Sequence, residues 1–146
     1  PMESYLEYTA IIKNKIEKGS YFNGEGFEVA LYLKKNNIDT TSILFTEYHI
    51  GYWLLETNPP TKSATHTSNI YRSELFPFYK NPRTTVLEEI RFILEEKQPQ
   101  VIVKRKGKEL VDRKLFDENK YVNDYLDYHY TLLKTIGNAL IYQRLK

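Results

Sequence analysis

The sequence predicts an α/β fold of three layers: a mostly parallel sheet with helices on both faces and a C-terminal antiparallel β-hairpin. Three observations carry this expectation. Short apolar, β-branched runs at residues 43–46 and 100–104 alternate with stretches of helical periodicity. Strands separated by such helices are the pattern of crossover units, which return to a parallel neighbour. Finally, Gly137-Asn138 divides two alternating runs, 131–136 and 139–144, in the manner of a two-residue hairpin.

Each element follows from its own residues. Tyr5, Tyr8, Ile12 and Ile16 recur at spacings of three and four, predicting a first helix over residues 3–18 that Gly19-Ser20 ends. Asn23-Gly24-Glu25-Gly26 is a turn; it lacks the glycine spacing and the Lys-Ser/Thr pair of a phosphate loop. Phe27, Ala30, Leu31 and Lys34 mark a second helix that stops at Asn36-Asn37. After the strand at 43–46, Ile50, Trp53, Leu54 and Thr57 predict a helix closed by Asn58-Pro59-Pro60. Residues 62–67 read as a second, polar strand, and 71–82 as an irregular segment with an apolar loop at 75–79. Thr85-Val86-Leu87-Glu88 fits a capping box at the start of the clearest helix, which Pro99 closes. Asp117 is the expected cap of a last helix carrying Val122, Tyr125, Leu126 and His129 on one face. The whole of 1–146 reads as one domain, with an N-terminal helix over 1–20.

Composition narrows the function classes. The 146 residues are 41% hydrophobic and 27% charged, within the range of folded domains. A net charge of +2 gives no argument for nucleic acid, and no recognised nucleic-acid motif accompanies the basic residues. The chain has no cysteine, which excludes disulfides, thiol catalysis and cysteine-ligated zinc. Nothing calls for a cofactor. Thirteen tyrosines suit a surface that meets sugar, peptide or a bilayer interface. No apolar run reaches the roughly 18 residues of a membrane span. Pro1 before Met2 does not match a natural start, so the sequence is read as a piece of a longer protein.

Two constellations stand out. Glu47, His49 and His66 group acid and imidazole at the expected carboxyl end of the first strand, where open α/β sheets bind ligands. Tyr52, Trp53 and Lys62 lie in the same stretch and complete the contact candidates. No nucleophile is paired with these histidines and no third metal ligand sits at a recognised spacing, so the expectation is contact rather than catalysis or metal binding. Lys104, Arg105, Lys106 and Lys108, continued by Arg113 and Lys114, form the one basic cluster, with Glu109 and Asp112 between. It suits phosphate or lipid headgroups, or serves only to guard a strand edge against aggregation.

Four stretches carry a family resemblance. They are Glu28-Val29-Ala30-Leu31-Tyr32-Leu33-Lys34-Lys35-Asn36 with the strand after it, the segment from Gly51-Tyr52-Trp53 to Asn58-Pro59-Pro60-Thr61, the run EEIRFILEEKQPQVIV from Glu88, and TIGNALIYQR from Thr135. Together they resemble the soluble C-terminal domain of bacterial GT-C-type integral-membrane glycosyltransferases, the group similar to dolichyl-phosphate-mannose protein mannosyltransferases. The resemblance implies a periplasmic accessory domain that follows the last membrane helix. In that family the donor is a polyprenyl-phosphate sugar, and the catalytic acids lie in loops between membrane helices that are not in this chain. Implied partners are the membrane-embedded part of the same polypeptide and a lipid-linked sugar or an acceptor glycan or peptide, with no nucleic acid. The alternative expectation is a free-standing cytoplasmic binding domain without catalysis.

Overall fold

The computed structural model describes residues 2–19 and 24–146. The elements in order are α1 (Met2–Lys18), α2 (Glu25–Lys35), β1 (Ile43–Phe45), α3 (Ile50–Leu54), α4 (Thr67–Ile70), α5 (Val86–Arg91), β2 (Val101–Arg105), α6 (Phe116–His129), β3 (Tyr130–Ile136) and β4 (Ala139–Arg144). Ser63–Thr65 and Ser73–Tyr79 are 3-10 turns, and α5 runs on as a π-helical segment, Phe92–Lys97. Asn23 of the expected glycine-rich turn lies outside the described residues; Gly24 precedes α2, which takes in Glu25 and Gly26.

The fold is mixed α/β, but its sheet is mostly antiparallel. The strand order is β1-β2-β4-β3. Only β1 and β2 pair in parallel, Ile43 opposite Val101 and Phe45 opposite Val103. Strand β4 inserts between β2 and β3 and runs antiparallel to both. The expectation of a mostly parallel sheet fails in part because residues 62–67 do not form the extra strand: Ser63 turns its hydroxyl to the Glu89 carboxylate, Thr67 donates to the Thr46 carbonyl, and the backbone winds into a 3-10 turn and α4. Only the connection from β1 to β2 joins a parallel pair. The C-terminal hairpin forms as read, and so does the Thr85–Glu88 capping box. Leu115, rather than Asp117, precedes α6, and Asp117 lies in its first turn.

Alternation along the strands separates two apolar clusters. Ile43, Phe45, Val101, Val103 and Ile141 meet Val29 and Leu33 of α2 and Tyr52 of α3. Leu44 and Ile102 meet Ile70, Ile90, Ile93 and Leu94 together with Val122 and Leu126 of α6. Full burial of a side chain of this size contributes about 1.5–3 kcal/mol, so strand β2, buried on both faces at Val101–Val103, is the centre of the structure. Helix α1 stands apart from this pattern: its Tyr5, Tyr8, Ile12 and Ile16 stripe faces solvent, with Ile16 79% exposed.

Strand β1 is an edge strand, and an edge presents unpaired backbone groups. Here the Phe45 N–H donates to the Tyr52 hydroxyl at 3.0 Å, and the two rings meet edge to face at 5.0 Å. Gly51 allows this close approach, since a Cβ there would fall within the Phe45 ring.

The tyrosines of the second half reach back to the α5–β2 connection. Tyr125 donates to the Leu94 carbonyl at 2.8 Å and Tyr130 to the Pro99 carbonyl at 2.7 Å, while Tyr121 donates to the Glu95 carboxylate at 2.5 Å. Arg144 donates to the Tyr125 and Tyr130 hydroxyls. Tyr128 alone of that run is fully outward, at 79% exposure.

A buried carboxylate fixes the segment between α3 and α5. Glu89 is fully inaccessible. It accepts from Ser63 Oγ at 2.5 Å, Thr61 Oγ1 at 2.8 Å and Asn81 Nδ2 at 2.7 Å, and is paired with the Arg83 guanidinium. Burial favours protonation, but the hydrogen bonds from Ser63, Arg83, Asn81 and Thr61 outweigh it and hold the carboxyl below its usual range. Its stabilising contribution is therefore present above about pH 4.5 and is lost as pH falls through the lower folded value.

Two substitutions test this packing. Glu89→Ala leaves Arg83 and three further donors unanswered and is expected to cost about 3–5 kcal/mol, read from the urea midpoint. Gly51→Ala forces Phe45 aside and is expected to cost about 1–3 kcal/mol in the same measurement. Unchanged midpoints would show that neither contact supports the fold.

Candidate functional site

Parallel pairing places the carboxyl ends of β1 and β2 side by side. Glu47 follows the end of β1, while Arg105 ends β2 and opens the loop that reaches Arg113. Between that loop and the segment 66–71 lies an open cleft of about 650 Å³, within the size range of small-molecule sites. Its first wall carries Arg105, Lys106, Lys108 and Arg113; its second carries His66, Ser68 and Tyr71. The two constellations seen separately in the sequence thus meet at one place. Glu47, His66, Arg105, Lys106 and Lys108 all line the cleft.

The carboxylates of the cleft are occupied. Glu47 is ion-paired with Lys108. Glu109 accepts from Asn123 Nδ2 at 3.2 Å, and Asp112 accepts from the Lys114 N–H at 2.9 Å, a local turn bond. In contrast, the Lys106 ammonium and the Arg113 guanidinium enter no ion pair or hydrogen bond among the described residues. With Glu47, Glu109 and Asp112 set against Arg105, Lys106, Lys108 and Arg113, the lining is positive by one charge, and Lys106 and Arg113 are its cations without a protein partner among the described residues. Arg105 lies close enough to favour ionisation of Glu25, whose carboxyl is held below its usual range chiefly by the Tyr48 hydroxyl and then by the Asn138 N–H. That Glu25 contact ties α2, the turn after β1 and the β3–β4 turn together behind the cleft.

His49 does not itself line the cleft. Its Nε2 accepts the Thr67 N–H at 3.2 Å, which places the imidazole hydrogen on Nδ1, and the Thr67 hydroxyl beside it donates to the Thr46 carbonyl. His66 stacks on it with ring centroids 4.5 Å apart, and caps α4 by accepting the Ser68 N–H. Burial first, and His66 second, hold His49 below its ordinary value of 6.5. An imidazole whose lone pair is already used by a backbone amide is not free to take a proton from a substrate. Among the described residues, no group of three or more His, Cys, Asp or Glu is placed to hold a metal ion.

The remaining sequence candidates lie elsewhere. Tyr52 is buried at the β1 edge. Trp53, 77% exposed, lies on a separate groove beside Asn58 and Pro59. Lys62 borders a smaller cleft of about 280 Å³ near Arg83 and Phe92. Lys104 turns toward α6, where its ammonium donates to Asn123 Oδ1 at 3.3 Å, and burial lowers its affinity for a proton. The basic cluster is thus split: Lys104 belongs to packing, and Arg105, Lys106, Lys108 and Arg113 to the cleft. Ser68 and Tyr71 are the members the sequence did not indicate. No helix among the described residues is long and apolar enough to cross a membrane.

Comparison with protein-family models, with curated proteins and with solved structures found no match.

The depressed affinity of His49 for a proton has a measurable consequence. Stability linked to it is complete above the unfolded value near 6.5 and is lost as pH falls below it toward the folded value. His66, Glu47 and Lys108 are the charged neighbours that tune this. Denaturation followed between pH 7.5 and 5.5 is expected to show stability falling with pH in the wild type, with a shallower slope in His49→Gln. Parallel slopes would remove the assignment of His49 as a neutral packing residue.

Proposed function

We propose that the chain is an accessory extracytoplasmic domain of a bacterial membrane glycosyltransferase, one that draws its sugar from a polyprenyl-phosphate donor. In this role it performs no bond-making step itself. It covers the membrane-embedded active site of the same polypeptide and helps to hold the acceptor there. The observation that carries the proposal is the cleft at the carboxyl ends of β1 and β2. Its Lys106 and Arg113, without a protein partner among the described residues, suit ligand retention, while the histidine that lines it, His66, accepts the Ser68 N–H.

Three features support the same reading. The four stretches that resemble the glycosyltransferase domain include α2 with β1, the α5–β2 unit and the terminal hairpin, which are the parts that build the central sheet. In the resembled family the catalytic acids are in membrane-proximal loops, so a domain with a binding cleft and no assembled proton-transfer pair is the expected division of labour. The sheet would be the middle of three layers, with α2 and α3 on one face and the α4–α6 elements on the other.

The encoding gene provides the test. Its reading frame is expected to place several apolar spans of about 20 residues upstream of these residues. A frame without such spans overturns the proposal.

A further inference from the structure

Lys106 and Arg113 face open solvent across a cleft far larger than a single anion. Three of its features bear on what it holds. First, the loop 105–113 carries Arg105, Lys106, Lys108 and Arg113 against Glu109 and Asp112, so that wall keeps an excess of positive charge, and Glu47 opposite it is paired with Lys108. Second, the opposite wall carries no carboxylate, lysine or arginine: it presents the exposed His66 ring, the Ser68 hydroxyl and the half-buried Tyr71 ring. Third, the volume of about 650 Å³ leaves most of the space unfilled if only a phosphate or carboxylate is bound.

We infer that this cleft binds an anionic saccharide, with its phosphate or carboxylate group on Lys106 and Arg113 and its sugar ring against His66, Ser68 and Tyr71. The arginine fork suits either oxyanion in bidentate fashion, and the lysine adds a point charge. The Ser68 hydroxyl is bonded to His66 Nδ1 at 2.8 Å, which leaves His66 Nε2 and the remaining Ser68 oxygen lone pair for the hydroxyls of the ring, while the Tyr71 ring offers an aromatic surface for its C–H groups. The Glu47–Lys108 ion pair leaves Lys108 less available than Lys106. This inference rests on the acceptor-holding role proposed above and specifies the chemical class of that acceptor.

The experiment is a titration of the 146-residue chain followed by amide chemical shifts, with glucose 6-phosphate, glucuronate, glucose and inorganic phosphate as separate probes. Both anionic sugars are expected to shift amides on the two walls, at 105–113 and at 66–71. Which of the two binds more tightly distinguishes a phosphate from a carboxylate acceptor. Glucose is expected to give no saturable shift, and phosphate to bind more weakly than glucose 6-phosphate and to shift only the first wall. Lys106→Gln and Arg113→Gln should each weaken anionic-sugar binding about tenfold, with urea midpoints unchanged because both side chains are exposed. Raising the salt should weaken it further. Absence of saturable shifts with both anionic sugars overturns the inference, as does equal affinity for phosphate and glucose 6-phosphate, or undiminished binding in both variants. Any of these would leave the count of membrane spans in the gene as the separate measure of the accessory role.

Discussion

A carboxylate out of reach of water has to be met by donors, and the chain around Glu89 is arranged to supply them. Thr61 and Ser63 arrive from the segment after the double proline, Asn81 and Arg83 from the segment before α5. Ala64 and Phe76 are the fully buried apolar side chains of these two irregular stretches. Satisfying one buried charge fixes both, since leaving any donor away from it would strand the charge in a medium that tolerates it poorly. Arg83 also lies over the Phe92 ring, 3.7 Å from its centroid, so the network extends to the start of the π-helical segment. Downstream of Ser63, the backbone is delivered to Thr67, whose amide and hydroxyl engage His49 and Thr46. The course of the 66–71 wall of the cleft thus follows from a charge buried elsewhere.

Local chemistry in the sequence was a good guide wherever the deciding interactions were local. The Thr85–Glu88 box, the Gly137-Asn138 turn and the two apolar runs of β1 and β2 depend on neighbours a few residues away, and all appear. The stretch 62–67 misled because Ser and Thr are equally at home in a strand and in a turn. What decided its shape was Glu89, more than twenty residues on, and His49 before it. The strand order was beyond local reading for a similar reason. Nothing within β4 itself states that it will lie between β2 and β3; that follows from the fit of Ala139 and Ile141 beside Val101 and Val103. Left-handed backbone at Tyr48 and Glu56, neither of them glycine, was equally unmarked.

The cleft itself was half legible. Glu47 with His66, and the basic run after β2, were each visible as unusual clusters separated by some sixty residues of chain. Their convergence required knowing that β1 and β2 are adjacent and parallel, which puts both carboxyl ends on one side. Side-chain direction then divided the basic run. Lys104 follows Ile102 toward α6, and its neighbours turn to solvent. The tyrosine-rich composition suggested an adhesive surface, yet Tyr121, Tyr125 and Tyr130 direct their hydroxyls to the α5–β2 connection. There they act as long-reach hydrogen-bond donors that an apolar side chain of the same size would not replace.

The hydroxyl of Tyr52 on the Phe45 amide has a consequence for assembly. A sheet grows by adding strands at its edges, and polymers require both edges to be available. At the β1 side the outward amide of Phe45 is already engaged, and α3 lies over it. The β3 side, which pairs with β4 alone, has no such side-chain hydrogen bond among the described residues, and that strand carries a register irregularity at Leu132/Lys134. Two copies joined through β3 would leave their β1 edges outermost, and at each of these the Phe45 amide is no longer open to a further strand.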